Sequence, residues 1–338
     1  MAPPTLAEAP PPHISVVVPT HLRPALLERC LQALCRQSIG AQAYEIVVVD
    51  DGRQDAARDV VHRLAARDGM PALRYLRPAS GRGPACARNL GWRAARAPLI
   101  AFTDDDTIPD PDWLAHGAAA LAARPQWCAL AGRVVVPPRG GPSQRPSDHE
   151  RMMQGLQHAE FVTANAFVWR DALERIGGFD ERFLRAWRED SDLQFRLLQQ
   201  AGPIGRCDSA RVLHPVRHEP WGVCLRQQRN TYFDALLYKK HPRLYRERIR
   251  PVPPWDYYAI VGAGGAAAAL AALGASRAAG LAGAACGALV LRLAWQRLRP
   301  TRRDAAHVTE MLATSALIPF LSVYWRLRGA LHFRVLFL

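Results

Sequence analysis

The chain of 338 residues has no CxxC pair among its seven cysteines, which are odd in number and scattered along the sequence. This pattern argues against a disulfide framework and a cysteine zinc site, so we expect reduced thiols in a cytosolic environment. Zinc-finger spacing, an RNP-like aromatic motif and a recognisable helix-turn-helix are also missing, so we expect no nucleic-acid partner. The first residues, MAPPTLAEAPPPHI, lack a basic segment followed by an apolar core, and we expect a Pro-rich tail and not a secretory signal.

The charged residues are unevenly distributed along the chain. Apolar residues make up 49% and charged residues 22% of the chain, as in ordinary folded proteins. The net charge of +14 gathers in two basic clusters, one between Lys239 and Arg250 and the other between Arg297 and Arg303. With nucleic acid disfavoured, a membrane surface is the partner that these clusters indicate.

Short apolar runs alternate with helical patterns from His13 onward, as expected of βα units in an α/β fold with a mainly parallel central sheet. The predicted strands are Ile14–Val18, Glu45–Val49, Leu73–Leu76, Leu99–Phe102, Ala129–Val136 and a short one at SARVLHPV that finishes at His214. The predicted helices are Pro24–Arg36, Asp55–Arg67, Pro84–Ala95, Trp113–Arg124 and Asp190–Gln200. Pro137–Glu150 is rich in Pro, Gly and polar residues and is predicted to be a loop.

Polar and acidic residues follow three of the predicted strands. Pro19 and Thr20 follow the first, Asp50 and Asp51 the second, and the triplet Asp104–Asp106 the fourth. Ligands in open α/β sheets bind beyond the carboxyl ends of the strands. Two carboxylates about 5 Å apart repel by roughly 3 kcal/mol at an effective dielectric near 20, so the triplet calls for a counter-charge. Mg²⁺ or Mn²⁺, which bind carboxylates together with substrate phosphates, is the simplest one.

Each motif has an ordinary alternative when it is taken alone. VVVDDG is most often a turn or a helix cap, and REDSDLQFR is also a favourable acidic helix start. SGRGPACARNLG lacks the GxGxxG spacing of a phosphate-binding loop. We therefore base the functional interpretation on the order and spacing of all these motifs together.

That set resembles the family 2 glycosyltransferases, whose nucleotide-sugar domain has the GT-A fold. The resemblance covers about Ile14 to Val216 and rests on VVVPTHLRPALLERCLQAL, EIVVVDDG, GPACARNLGW, LIAFTDDDTIPDPDWL, GGFDERF, WREDSDLQFRL and VLHP. It implies single displacement with inversion at the sugar carbon. A sugar nucleotidyltransferase is an alternative, although PTHLRPALL lacks the Gly-rich loop expected of one, and a non-catalytic membrane-anchored nucleotide-sugar-binding protein is another.

The resemblance also implies residue roles. Asp104 and Asp106 match the metal-binding DxD motif, with Asp105 as its variable position, and His214 falls where some members have a further metal ligand. Asp190 matches the catalytic base. The expected nucleotide-sugar contacts are Pro19, Thr20, Asp51, Arg88, Asn89, Asp104 and Asp105, and the expected acceptor contacts are Trp187, Glu189 and Asn165.

Two Ala/Gly-rich apolar stretches, Trp255–Ser276 and Ala278–Gln296, have about the length needed to cross a bilayer. Basic clusters outside both ends predict a transmembrane hairpin whose ends, and the catalytic domain, lie in the cytoplasm. A soluble Ala-rich hairpin is the alternative. Met311–Trp325 is interrupted by Pro319 and better suits a re-entrant or interfacial helix.

The expected organisation runs from the tail through the enzyme domain to a membrane-associated end. The ranges are 1–12 (tail), 13–240 (GT-A domain, with a nucleotide-sugar half 13–136 and an acceptor half 137–240), 241–254 (basic linker), 255–297 (hairpin) and 298–338 (basic and interfacial segment). We expect transfer of a sugar from a nucleotide-diphosphate sugar to a hydroxyl group of a lipid-linked or cell-envelope glycan, at the cytoplasmic membrane face.

Overall fold

A computed structural model describes residues 12–79, 83–140 and 144–338 of the chain. The expected tail up to residue 11, residues 80–82 of the glycine-bearing stretch and residues 141–143 of the predicted loop lie outside this description. The strands are β1 Ile14–Thr20, β2 Tyr44–Asp50, β3 Ala72–Leu76, β4 Leu99–Thr103, β5 Ile108–Pro109, β6 Ala129–Val135, β7 Asn165–Trp169 and β8 Ile204–Leu213.

Helices alternate with the strands and then form the C-terminal part of the chain alone. The first seven are α1 Pro24–Leu34, α2 Ala56–Ala65, α3 Pro84–Ala94, α4 Trp113–Ala122, α5 Asp148–Gln154, α6 Arg170–Ile176 and α7 Glu189–Gln200. The remaining helices are α8 Val223–Gln227, α9 Thr231–Lys240, α10 Pro242–Arg248, α11 Trp255–Ala272, α12 Ser276–Leu298 and α13 Ala305–Phe333.

Two compact units divide the chain. Residues up to Val135 together with Ala159–Pro215 form unit 1, and Val136–His158 together with Val216–Leu338 form unit 2. The range 137–240, expected as the acceptor half of one domain, is therefore divided between the two units.

Unit 1 is built on one sheet with the strand order β3-β2-β1-β4-β7-β6-β8-β5. β1 is parallel to β2 and β4, β2 is parallel to β3, and β6 is parallel to β8. The antiparallel pairs are β4 with β7, β6 with β7 and β5 with β8. The predicted α/β fold with a mainly parallel sheet is confirmed.

The three polar strand ends meet at one edge of this sheet. β1, β2 and β4 are buried along their whole length, which explains why they read as continuous β-branched and apolar runs. In the register of the sheet, Thr20 at the end of β1 lies opposite Asp50 at the end of β2. β4 lies on the other side of β1 and ends at Thr103, directly before the acidic triplet.

Some elements differ from the sequence prediction. β8 begins at Ile204, well before the predicted SARVLHPV, because its first residues pair with β6 before a register shift at Gly132 and Arg133. The end of the predicted loop Pro137–Glu150 is helical, since α5 begins at Asp148. Ser147 and Glu150 form a reciprocal capping box there, which the SxxE pattern encodes.

Unit 2 contains the three apolar helices of the C-terminal region. α11 and α12 form an antiparallel pair joined at Gly274, whose φ of +75° suits glycine. Among the described helices, α12 and α13 are long and apolar enough to cross a membrane. The predicted apolar stretch Met311–Trp325 is the centre of α13, which continues through Pro319.

Candidate active site

The acidic triplet lies in a tight turn after β4. Thr107 donates from its backbone nitrogen (3.2 Å) and its hydroxyl group (2.8 Å) to the carbonyl oxygen of Asp104. The hydroxyl groups of Thr103 and Thr107 are 2.7 Å apart. These bonds hold the backbone of the turn, so the carboxylate side chains are positioned before any ligand binds.

Asp104, Asp106 and His214 form a group that could hold a metal ion. One ligand atom from each of the three side chains lies within 4.8 Å of the others. His214 directly follows β8, and its Nε2 lies 3.5 Å from Oδ1 of Asp106. The ring is 4% exposed, and within the described residues its Nδ1 has no hydrogen-bond partner. Two carboxylates fit Mg²⁺ or Mn²⁺, and the added imidazole favours Mn²⁺, because Mg²⁺ prefers oxygen ligands.

Asp105 is not a member of this group and has contacts of its own. Thr20 donates to its Oδ2 at 2.7 Å, and Arg23 lies 3.3 Å from its Oδ1 and 3.4 Å from Oδ2 of Asp106. Burial and the neighbouring carboxylates raise the pKa of Asp105 to about 6, although Arg23 and Thr20 oppose the shift. The middle residue of the triplet therefore ties the turn to the end of β1.

Arg88 links the triplet to the start of α7. Its guanidinium group is 3% exposed, donates to Asp104 at 2.7 Å and to Glu189 at 3.1 Å, and lies over the ring of Phe179. Burial alone would raise the pKa of Asp104, but the charges of Arg88 and His214 hold that pKa below its usual value. Arg88 was expected near the nucleotide or sugar, and in this structure its side chain is engaged between two carboxylates.

Glu189 and Asp190 open α7 after Arg188, which has a φ of +74°. Burial, followed by the charge of Asp190, raises the pKa of Glu189 to about 8 against the effect of Arg88. Burial also raises the pKa of Asp190, which is half-buried and accepts a 2.7 Å bond from the Ser191 backbone. A carboxylate with a raised pKa at a helix start suits a general base.

Asp51 lies at the end of β2, beside the end of β1. Its two carboxylate oxygens accept bonds from His21 at 2.6 Å and from the backbone nitrogen of Gly83 at 3.0 Å. Its own backbone nitrogen donates to Thr20 at 3.2 Å. Pro19 is buried within β1 and contributes backbone to this edge.

Two of the expected contact residues have partners within the protein itself. Asn89 is 1% exposed and bonds through its amide to Phe179, Glu181 and Trp92. It fastens the segment after Gly178 to α3. Trp187 is half-buried with the Arg188 guanidinium 4.6 Å from its ring centre.

Asn165 is fully buried at the start of β7. Its amide accepts from the Trp113 indole at 2.8 Å and donates to the carbonyls of Arg133 and Ala210. This position does not fit the expected acceptor contact, because the amide joins β6, β7, β8 and α4 within the core. Sequence reasoning also missed the Arg88–Glu189 link, since its partners are 101 positions apart.

Comparisons with known proteins find related glycosyltransferases. Residues 15–177 match the profile of the family described as glycosyl transferase family 2, and this region of the chain belongs to that family. Validoxylamine A glucosyltransferase of Streptomyces hygroscopicus subsp. jinggangensis is 30% identical over 244 residues, covering 63% of this chain and 55% of the relative. Glycosyltransferase AglE of Haloferax volcanii is 25% identical over 226 residues, covering 64% of this chain and 71% of the relative.

A solved structure shares the fold. The mannosyltransferase PcManGT from Pyrobaculum calidifontis, in complex with GDP-Man and Mn²⁺, superimposes with a TM-score of 0.58 at 23% identity. The match covers 94% of this chain and 87% of that one, and it confirms the expected GT-A fold. The chain spans about half the length of the first curated relatives, 55% and 51%.

Proposed function

We propose that the chain is a metal-dependent inverting glycosyltransferase that moves a sugar from a nucleotide-diphosphate sugar to a hydroxyl acceptor. One observation carries the proposal: Arg88 joins the Asp104–Asp106–His214 group to the Glu189–Asp190 pair. A site for a charged leaving group and a site for a base are thereby held in one framework. The family relationship and the shared fold support this reading.

On the donor side, the edge formed by Pro19, Thr20 and Asp51 would border the nucleoside. Asp51 already has both carboxylate oxygens oriented by His21 and Gly83, so it is ordered before the donor binds. Asp104, Asp106 and His214 would hold Mn²⁺ or Mg²⁺. When bound, such a cation neutralises the charge that grows on the diphosphate leaving group.

On the acceptor side, Asp190 would remove the proton from the attacking hydroxyl group. Its raised pKa brings its basicity closer to neutral pH, where a carboxylate base contributes typically 10²- to 10⁴-fold. Attack from the side opposite the leaving group inverts the sugar carbon, and no covalent intermediate is required. Trp187 offers an aromatic face two residues before Glu189 for a sugar ring of the acceptor.

Unit 2 would place this chemistry at the cytoplasmic face of a membrane. Residues 136–158 and 216–338 contain 21 Lys and Arg against 8 Asp and Glu, a net charge of +13 out of the +14 of the whole chain. Positive charge next to apolar helices is typical of the cytoplasmic side. A lipid-linked or cell-envelope glycan is then the natural acceptor class.

Screening against a panel of nucleotide sugars with Mn²⁺ tests the proposal. We expect one donor to bind, by calorimetry, and to be hydrolysed slowly without an acceptor. Asp106→Ala should weaken metal-dependent binding at least tenfold, whereas the exposed Asp112→Ala should bind as the wild type does. Unchanged binding by Asp106→Ala would contradict the metal role, and a transfer product that retained the donor's anomeric configuration would contradict inversion.

A further inference from the structure

A second guanidinium group, that of Arg23, lies beside the acidic triplet. Its Nη1 is 3.3 Å from Oδ1 of Asp105 and 3.4 Å from Oδ2 of Asp106, so one nitrogen contacts two neighbouring carboxylates. Among the described residues, the side chain of Arg23 makes no further hydrogen bond or ion pair. Its Nη2 and Nε therefore remain for another ligand with oxygen acceptors.

The connection between β1 and α1 fixes the backbone of Arg23 beside the triplet. β1 ends at Thr20 and α1 begins at Pro24, so only His21, Leu22 and Arg23 connect them. Leu22 has a φ of +54°, a conformation that is unfavourable for a residue with a Cβ atom. Such conformations persist where the surrounding structure requires them, and they are frequent at functional sites. Any movement of the guanidinium group therefore comes from rotation of the side chain.

Arg23 differs from Arg88 in how firmly it is held. The side chain of Arg88 is 3% exposed and lies 2.7 Å from Asp104, whereas that of Arg23 is 34% exposed and makes longer contacts. A buried pair such as Arg88 with Asp104 leaves an uncompensated charge when it separates. A partly exposed pair contributes little to stability and separates easily. Arg88 is thus a fixed part of the site, and Arg23 can exchange its partners.

Arg23 contacts a carboxylate that also belongs to the candidate metal group. Oδ2 of Asp106 faces Arg23, and Oδ1 of the same carboxylate lies 3.5 Å from Nε2 of His214. The positive charge of Arg23 therefore opposes a divalent cation held by Asp106. A unit charge and a divalent cation about 6 Å apart repel enough, even at the dielectric constant of water, to weaken binding roughly tenfold.

We propose that Arg23 is the counter-charge of the metal site while the donor is absent, and that it turns to the diphosphate when the donor binds. In the first state it holds Asp105 and Asp106 together and weakens the binding of a free divalent cation. In the second state its N–H groups bind phosphate oxygens, which guanidinium groups match well. The cation and the donor are then expected to bind together. This inference rests on the proposed function and adds a donor-binding residue to it.

Titration with Mn²⁺ in the absence of nucleotide tests the first state. Arg23→Gln and Arg23→Met remove the charge, and both should bind Mn²⁺ about tenfold more tightly than the wild type. Arg23→Lys keeps the charge and should stay within about twofold of the wild type. Arg29→Gln, at an exposed position of α1, removes the same charge away from the triplet and should bind as the wild type does. Unchanged or weaker Mn²⁺ binding in both neutral variants would overturn the proposal.

The same titration with saturating UDP, GDP, ADP or TDP tests the exchange of partners. A nucleotide that binds should strengthen the binding of Mn²⁺ by a factor at least tenfold larger in the wild type than in Arg23→Gln. The variant has lost both the repulsion in the first state and the phosphate contact in the second. An equal factor in the two proteins would overturn the exchange. Failure of the wild type to bind Mn²⁺ with any of these nucleotides would contradict the proposed function itself.

Discussion

At the scale of single residues, the site consists of carboxylates arranged around one buried guanidinium group, that of Arg88. Arg88 has two acidic partners, and both belong to parts of the chain that the family pattern assigns to different steps. Removing a buried partner of such a network leaves an uncompensated charge, which costs about 3 to 5 kcal/mol. Arg88 is therefore expected to act on metal binding and on the base at the same time.

Asp190→Asn should remove transfer activity while leaving donor binding nearly intact. The amide is similar in size and accepts the Ser191 backbone bond, but it cannot take a proton. The loss of turnover should be about 10²- to 10⁴-fold, measured as kcat at saturating donor with Mn²⁺. A variant with the turnover of the wild type would remove Asp190 from the role of base.

Arg88→Met should move the acid side of the pH–activity profile to higher pH. Burial raises the pKa of Asp190, and the positive charge of Arg88 lowers it. Without that charge the pKa rises further, so the base becomes protonated, and activity falls, at a higher pH. kcat/KM measured against pH at saturating Mn²⁺ tests this. Arg88→Lys, which keeps the charge, should shift the profile less, and an equal shift in both variants would argue against an electrostatic effect.

At the scale of elements, close packing of α4 on the sheet holds the turn that carries the site. Gly117 on α4 faces the ring of Phe167 on β7, and a Cβ atom at this position would overlap that ring. Trp113, on the same helix, packs against Phe167 and bonds to Asn165. The helix follows the acidic triplet by a few residues, so this contact helps to fix where the triplet lies.

Gly117→Ala should lower the free energy of unfolding by about 1 to 3 kcal/mol, the usual cost of overpacking, although alanine favours the helical state. The matched control is Ala119→Gln on the exposed side of the same helix, which should change stability by less than about 0.5 kcal/mol. Thermal and denaturant unfolding of both variants would show the difference. Equal unfolding midpoints for the two variants would mean that α4 moves away from β7 without a loss of stability.

At the scale of the whole molecule, charge and hydropathy divide between the two units. Nearly all of the net charge lies in unit 2, together with the apolar helices, whereas unit 1 is close to neutral. This division is what the proposed attachment to a membrane through unit 2 predicts.

The full-length protein should remain with the membrane after washing with alkaline carbonate and with high salt. Salt removes proteins held by charge alone, because it screens the basic clusters, and carbonate removes other peripheral proteins. Apolar helices inserted in the hydrocarbon are not released by either. Immunoblotting of pellet and supernatant measures this, and release by salt alone would indicate a soluble hairpin with a basic surface.

Local sequence patterns predict those elements in which apolar side chains recur with the spacing of a strand or a helix. The β-branched runs of β1 and β2, the helical face of α1 and the polar residues at three strand ends follow from side-chain spacing, and the structure places each of them as predicted. Less regular elements are harder to predict. β7 is paired on both sides within the sheet, with β4 and with β6, and residues 136–164 separate it even from β6, the strand before it in the chain.

The sequence by itself determined the fold class, the family, the acidic triplet and the apolar, basic C-terminal region, because each depends on composition or on residues close together in the chain. Only the tertiary structure decided which partners the buried charges have: Arg88 meets Glu189, His214 joins Asp104 and Asp106, and Asn165 turns into the core. Those contacts bring together residues between 32 and 110 positions apart, and their pairing depends on strand order and register, which local spacing does not encode.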